Sequence, residues 1–369
     1  MSSEITLLLK HKRNNPRNSE GAFIALADGR LMFAYSRYYG TSWSDNAPAT
    51  ISARYSGDGG RTWSTRDHLL VANEGACNVM SASLLRMQDG RIGLFYLRKN
   101  SLHDCRLLLR ASADDGMTWS KPVQCIPAPG YFVVNNDRVV RLKSGRIVIP
   151  AAYHRPKLEG ETMGPGGCDW RAITLFYYSD DDGKTWCESA DWWGLPVKNL
   201  SGMQEPGVVE LRKGVLYGWA RTDTGRQWET RSRTGGDRWD PPQPSTFRSP
   251  CSALSIKRIP TTGDLLAVWN DQSRRWKRKK PVAKSSWGRT PLAAAVSHNE
   301  GKTWKMARLL ETSLHRGFCY TAIHFTHDAA LLAYCCGGVG GGVLQDLCIR
   351  RVTLDWLVGR ANAPLPQAS

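Results

Sequence analysis

Residues 178–186 read YSDDDGKTW, and versions of this stretch recur along the chain. Written S-x-D-x-G-x-T-W, the pattern appears as Ser56, Asp58, Gly60, Thr62 and Trp63, again as Ser112, Asp114, Gly116, Thr118 and Trp119, and in 178–186 as Ser179, Asp181, Gly183, Thr185 and Trp186. A fourth copy carries Asn299 in the acid position between Ser297 and Gly301, and a fifth keeps only Ser232, Gly236 and Trp239. Such self-similarity marks a repeat architecture. The chemistry is that of a tight turn: a short Asp or Asn bonds its own backbone, Gly supplies a positive φ, and Trp opens the next strand by packing over the turn. These turns are expected to be structural and to stay clear of any substrate.

A second repeat sets the blade count. Apolar-alternating runs broken by a turn occur at 22–37, 82–98, 138–154, 207–221, 253–271 and 321–337. Each reads as strand, turn, strand. Five of the six are followed by the S-x-D-x-G-x-T-W turn or its remnant, so each unit holds about four strands, the content of one propeller blade. Six units predict an all-β, six-bladed β-propeller of four-stranded antiparallel blades. Segment 346–356 offers a third strand for the last blade and 4–10 one more, and pairing the two would close the ring and hide both edges.

Nothing divides the 369 residues, so 1–369 reads as a single domain. The N-terminus has only a five-residue apolar run, too short for a signal-peptide core or a membrane span, which favours a cytoplasmic protein with no membrane partner. The ten cysteines show no C-x-x-C spacing, so neither a metal cluster nor a disulfide framework is expected, and no metal or cofactor is implied. Net charge is +17, part of it in RRWKRKKPVAK at 274–284. A basic loop with an interleaved Trp suits nucleic acid, but charge runs most often face water, so nucleic acid is not the expected partner. A third reading is long-range attraction of an anionic glycan. The oligomeric state is open.

In a propeller the innermost strands run along the central axis, so residues at one end of equivalent strands converge on one mouth. Ahead of the six hairpins stand Arg17, Asn78, Asn136, Glu205, Cys251 and Tyr320, and beyond their second strands come Arg37, Arg98, His154, Arg221, Asn270 and the Cys336 region. Together these form a predicted pocket of several arginines, one carboxylate and one tyrosine.

The repeat turn resembles the Asp-box of the sialidase superfamily, and the similarity covers nearly the whole chain. By that resemblance, Arg17 corresponds to the first arginine, Asp45 in GTSWSDNAPA to the acid of the first loop, and Glu205 in QEPGVVEL with Arg221 in GWARTD to the Glu and Arg pair. Arg289 before the fourth turn corresponds to the third arginine and Tyr320 in CYTAIHF to the tyrosine. Three guanidiniums suit a sugar carrying a carboxylate on its anomeric carbon. A neutral tyrosine approaches that anion without the repulsion a carboxylate nucleophile would meet, and Glu205 is placed to take its proton. Asp45 would then serve as acid and base towards the leaving oxygen and water, with retention at the anomeric centre. Arg37, Arg98, Asn78, Asn136 and His154 complete the expected substrate-binding set. The resemblance therefore implies an exo-acting glycoside hydrolase whose partner is an acidic glycan.

The sequence departs from the family where Arg17 is followed by Asn18 and Ser19 instead of Ile and Pro. Arg13 or Glu20 stays open as an alternative at that position, and Asp137 as an alternative to Asp45. Two other readings stand beside the first: a glycosidase or lyase on the same ring acting on another acidic sugar such as a uronic acid, and a non-catalytic glycan-binding propeller.

Overall fold

The computed structural model describes residues 2–157 and 167–359. The span 1–369 assigned to one domain also contains residues 1, 158–166 and 360–369, which lie outside the described residues.

Strands Asn18–Ala25, Leu31–Tyr38, Ala49–Ser56 and His68–Val71 pair in chain order as the first blade. The second is Asn78–Arg86, Ile92–Lys99, Cys105–Ser112 and Val123–Gln124; a single parallel bridge, Tyr131 to Cys105, links it to the third. Blades four and five run from Gln204 to Arg248 and from Ser255 to Glu311. The sixth takes Cys319–Phe325, Ala329–Cys335 and Leu347–Thr353 from the C-terminal side, and its outermost strand is Ser3–Leu9, antiparallel to Leu347–Thr353. The propeller thus has four antiparallel strands in most blades, and each recurrent turn joins the third strand of a blade to the fourth.

The third blade differs from the sequence reading. Its inner limb is split into Tyr131–Val133 and Val140–Arg141, because Asn135, Asn136 and Asp137 leave the ladder between them. That excursion buries Asn136 at the propeller axis, where its amide donates to the carbonyls of Gly21 (2.7 Å) and Tyr320 (3.2 Å).

The recurrent turns have one geometry. Asp181 Oδ1 accepts from the Thr185 amide (2.9 Å) and Oδ2 from the Thr185 hydroxyl (2.6 Å), while Ser179 Oγ accepts from the Gly183 amide at 2.8 Å. In the worn fifth copy Thr234 stands in for the acid, its Oγ1 accepting from the Arg238 amide at 2.8 Å. These bonds hold the acids of the intact copies low, down to about 2 for Asp114, whose carboxylate is fixed first by the Thr118 hydroxyl and amide.

The tryptophans do more than cover their own turns. Trp239, from blade four, stacks on Phe176 of blade three with centroids 3.6 Å apart; Trp186 of blade three meets Phe95 of blade two edge-on at 6.2 Å; Trp304 of blade five lies 5.1 Å from Phe247 of blade four. Each indole reaches back to the preceding blade, so the repeat rivets neighbours together as well as turning the chain.

Candidate active site

The innermost strands share an irregularity that builds the site. In blades one, two, four and six the ladder shifts between Ser19 and Ala22, Met80 and Ser83, Gln204 and Gly207, and Cys319 and Ala322. At each shift a non-glycine residue sits in the left-handed region: Glu20 (φ 56°), Ser81 (60°), Glu205 (47°) and Tyr320 (61°), with Asp137 (59°) in the excursion of blade three. Bulges re-aim side chains, and non-glycine residues held at positive φ cluster at functional sites. Here Glu20, Ser81, Glu205 and Tyr320 all turn towards one cavity of about 690 Å³ on the axis. That volume suits a small organic ligand.

At its floor the Tyr320 hydroxyl donates to Glu205 Oε1 at 3.0 Å and accepts from Arg221 Nη1 at 3.1 Å. Arg221 Nη1 also lies 2.8 Å from Glu205 Oε2, and its Nε and Nη2 both donate to Gln204 Oε1, at 3.0 and 2.7 Å, which fixes the plane of the guanidinium. Burial pushes the Tyr320 phenol well above its ordinary range, although Arg221 pulls the other way. A resting phenolate is thereby disfavoured, and ionisation requires transfer to the adjacent carboxylate. Arg289 lines the same cavity, its guanidinium 5.3 Å from the Tyr320 ring and 5.5 Å from that of Trp287.

Arg17 is placed behind this surface. It is only 1% exposed, donates from Nη2 to Glu20 Oε2 at 2.8 Å, is hydrogen-bonded through Nη1 to Asp45, and lies over the Tyr38 ring at 4.5 Å. Two arginines, not three, therefore face the cavity, and the carboxylates of Glu20 and Asp45 cover the third. Asp45 itself lines the cavity with its side chain 62% exposed. Desolvation opposes its ionisation, but Arg17, Lys99 and Arg289 together hold the carboxyl below the usual range.

Of the open alternatives, Arg13 lies in an exposed turn and Glu20 lines the cavity. Asp137 is engaged elsewhere, 2.6 Å from Lys257 Nζ and accepting the Ile323 amide.

Several expected binding residues are corrected. Arg37 donates to Asp67 at 3.0 Å away from the cavity, and Arg98 lies beside Gly75 and is not in the lining. The register explains both: Gln204 faces Arg221 just before its bulge, and the equivalent pairs are Ser19 with Ser36 and Met80 with Leu97. Arg37 and Arg98 are one residue further on and point to the opposite face. Asn78 does not line the cavity either; its amide donates to the carbonyls of Asp45 (2.8 Å) and Ala47 (2.9 Å) and tethers the Asp45 loop, while Asn136 holds the backbone of Tyr320. His154 does line the cavity, its Nδ1 2.9 Å from the Asp169 carbonyl. That contact makes Nδ1 the donor and leaves Nε2 an acceptor; burial pushes the ring down to about 4, so it is neutral at neutral pH.

Sequence reasoning missed Lys99, Gln204 and the tryptophans 43, 170 and 287 of the cavity wall. Regular pairing counted from the turn sets Glu205 opposite Arg221, and the bulge brings Gln204 into that place instead, so Gln204 escapes the count; nothing in the sequence singles out the tryptophans. Among the described residues no cluster of three or more His, Cys, Asp or Glu is arranged to hold a metal ion, and no helix is long and apolar enough to cross a membrane.

Residues 29–332 match the BNR repeat-like domain. The chain belongs to the BNR repeat-like domain family. No curated protein matches this BNR-repeat chain. Its fold is similar to that of solved sialidases. A protein of unknown function from Dyadobacter fermentans is similar over 95% of this chain and 99% of its own, at 18% identity and a TM-score of 0.71. The NanB sialidase of Streptococcus pneumoniae shares 13% identity over 97% of this chain and 71% of its own, with a TM-score of 0.70. A Trypanosoma rangeli sialidase, solved with 2,3-difluorosialic acid as a covalent intermediate, shares 18% identity over 97% of the BNR-repeat chain and 60% of its own, with a TM-score of 0.69. At these identities the likeness is one of fold.

Proposed function

We propose that this protein is a retaining exo-glycoside hydrolase that releases a terminal sialic acid, or a closely related acidic sugar, from glycoconjugates. The observation that carries the reading is the Tyr320 hydroxyl held between Glu205 and Arg221, beside Arg289, in the axial cavity.

The substrate carboxylate is taken by Arg221 and Arg289 through charge-assisted hydrogen bonds. An anion there also competes with Asp45 for Arg17, which completes the arginine set and releases Asp45. Once freed from Arg17, the Asp45 carboxyl rises towards the range in which it can hold a proton and give it to the leaving oxygen. Glu205 Oε1 accepts the phenolic proton as Tyr320 Oη attacks the anomeric carbon, and Arg221 offsets the charge that develops on the oxygen. The glycosyl–tyrosine bond is then broken by water, with Asp45 as base and Glu205 returning the proton to Tyr320. Two displacements at one carbon give net retention.

The test is turnover by the intact protein on matched aryl glycosides. Release of the aryl group from an aryl α-sialoside, with the α-anomer as the first product by NMR, is expected. Cleavage of an aryl uronide in preference would assign the site to a different acidic sugar, and binding without turnover of any aryl glycoside would make the propeller a lectin.

A further inference from the structure

The basic residues at 274–280 face water, as charge runs do, and the segment also has a shape of its own. It is inserted between strands Leu265–Asn270 and Leu292–Ser297 of blade five and folds around a second cavity of about 470 Å³. Arg274, Lys277, Arg278, Lys279 and Lys280 line it. The one acid in the lining, Asp271, is already engaged: it is 2% exposed, accepts from the Trp276 indole at 2.9 Å and pairs with Arg275 at 3.3 Å. Among the described residues Arg274, Lys277, Lys279 and Lys280 form no ion pair. Concentrating like charges around a concave site raises the local potential and costs stability unless an anion occupies it.

The position of this cavity gives it a partner. The segment 287–290 forms a wall common to both cavities: Trp287 and Arg289 face the axial one, while Gly288 and Thr290 face the basic one. The wall is fixed from both sides, with Gln272 Nε2 donating to the Gly288 carbonyl at 2.9 Å and Trp287 packed 6.2 Å from Trp43 across the mouth. An anion in the basic cavity would therefore sit one backbone thickness from a sugar in the axial cavity.

We propose that the basic cavity is a second anion-binding site that holds an acidic residue of the same glycan chain whose terminal sugar occupies the axial cavity, so that the preferred substrate is polyanionic. This rests on the catalytic reading of the axial cavity. A nucleic acid would use the same charges, but its continuous phosphate backbone makes no use of a carboxylate cavity on the other side of the wall.

The probe is an oligomer of α-linked sialic acid, compared with an aryl α-sialoside and a sialyl oligosaccharide that is otherwise neutral. The double variant Lys279→Gln/Lys280→Gln, both side chains being distant from Tyr320 and its partners in sequence and outside the axial lining, is expected to weaken oligomer binding by about tenfold at low salt and to flatten its salt dependence. Hydrolysis of the aryl α-sialoside and of the neutral-chain oligosaccharide is expected to be unchanged. Equal binding of the oligomer by wild type and variant overturns the proposal, as does loss of duplex-DNA binding in the variant with oligomer binding retained. Oligomer affinity is read by calorimetry, without turnover. If wild type cleaves none of the substrates, the catalytic reading fails while the calorimetric comparison still decides the second site.

Discussion

Replacing Tyr320 by Phe is expected to lower kcat/KM for an aryl α-sialoside by at least about 10³-fold, equivalent to about 4 kcal/mol of transition-state stabilisation. The substitution removes one oxygen and leaves a ring of the same shape among Ala253, Cys319, Cys335 and Leu344. Packing is thus preserved, and the loss is chemical. Without Oη there is no nucleophile for the anomeric carbon, no proton for Glu205 Oε1 to take at 3.0 Å, and no acceptor for Arg221 Nη1 at 3.1 Å. The measurement is steady-state hydrolysis, with near-wild-type affinity for a non-hydrolysable acidic sugar as the check on folding. A merely structural tyrosine would give the reverse pattern, with weakened binding and largely intact turnover.

Replacing Trp239 by Ala is expected to destabilise the propeller by about 3–5 kcal/mol, measured by denaturant unfolding, and to leave the substrate preference of the remaining folded protein unchanged. Trp239 is 3% exposed and belongs to the fifth and most degraded copy of the repeat turn, yet it makes the tightest of the interblade ring contacts. Its indole N–H donates to the Gly236 carbonyl at 3.0 Å, and Gly218 beneath it leaves room for the ring: a Cβ there would come within 3.0 Å of the indole. Truncation opens a cavity between blades three and four and strips Phe176 of its partner. Trp239→Phe keeps a stacked ring and loses one hydrogen bond, so it is expected to recover most of the loss. Equal destabilisation by both variants would show that the stacking contributes little.

The ring was legible because its signals are local. A turn such as YSDDDGKTW needs Asp, Gly and Trp at fixed offsets, and an alternating strand needs apolar residues every second position, so both are written in consecutive residues. Glu205, Arg221 and Tyr320 could be placed at one mouth for the same reason, whereas Arg289 was reached through the family resemblance alone. What failed was the phase of the second strands. Arg37 and Arg98 stand one position beyond Ser36 and Leu97, the equivalents of Arg221, and side chains alternate faces along a strand. Arg17, expected at the mouth, lies behind the cavity surface with Glu20 and Asp45 bonded to it, which depends on contacts made across the chain. Interblade contacts were equally hidden: Trp239 on Phe176 joins residues far apart in sequence. So were the recurring Tyr, acid and Arg groups, such as Tyr334 and Arg350, which each bond Glu311 at 2.6 Å.

The central claim is that Tyr320 forms a covalent bond to the sugar. The most direct measurement is peptide mapping by mass spectrometry after the protein has been incubated with 2,3-difluorosialic acid, whose fluorine at C3 slows breakdown of a glycosyl intermediate. The account predicts a single added 3-fluorosialosyl mass, the C2 fluoride having left, on the peptide containing Tyr320 and absent from Tyr320→Phe. The same mass on Glu205 or Asp45, or rapid turnover of an aryl α-sialoside with no labelled peptide at all, would contradict it.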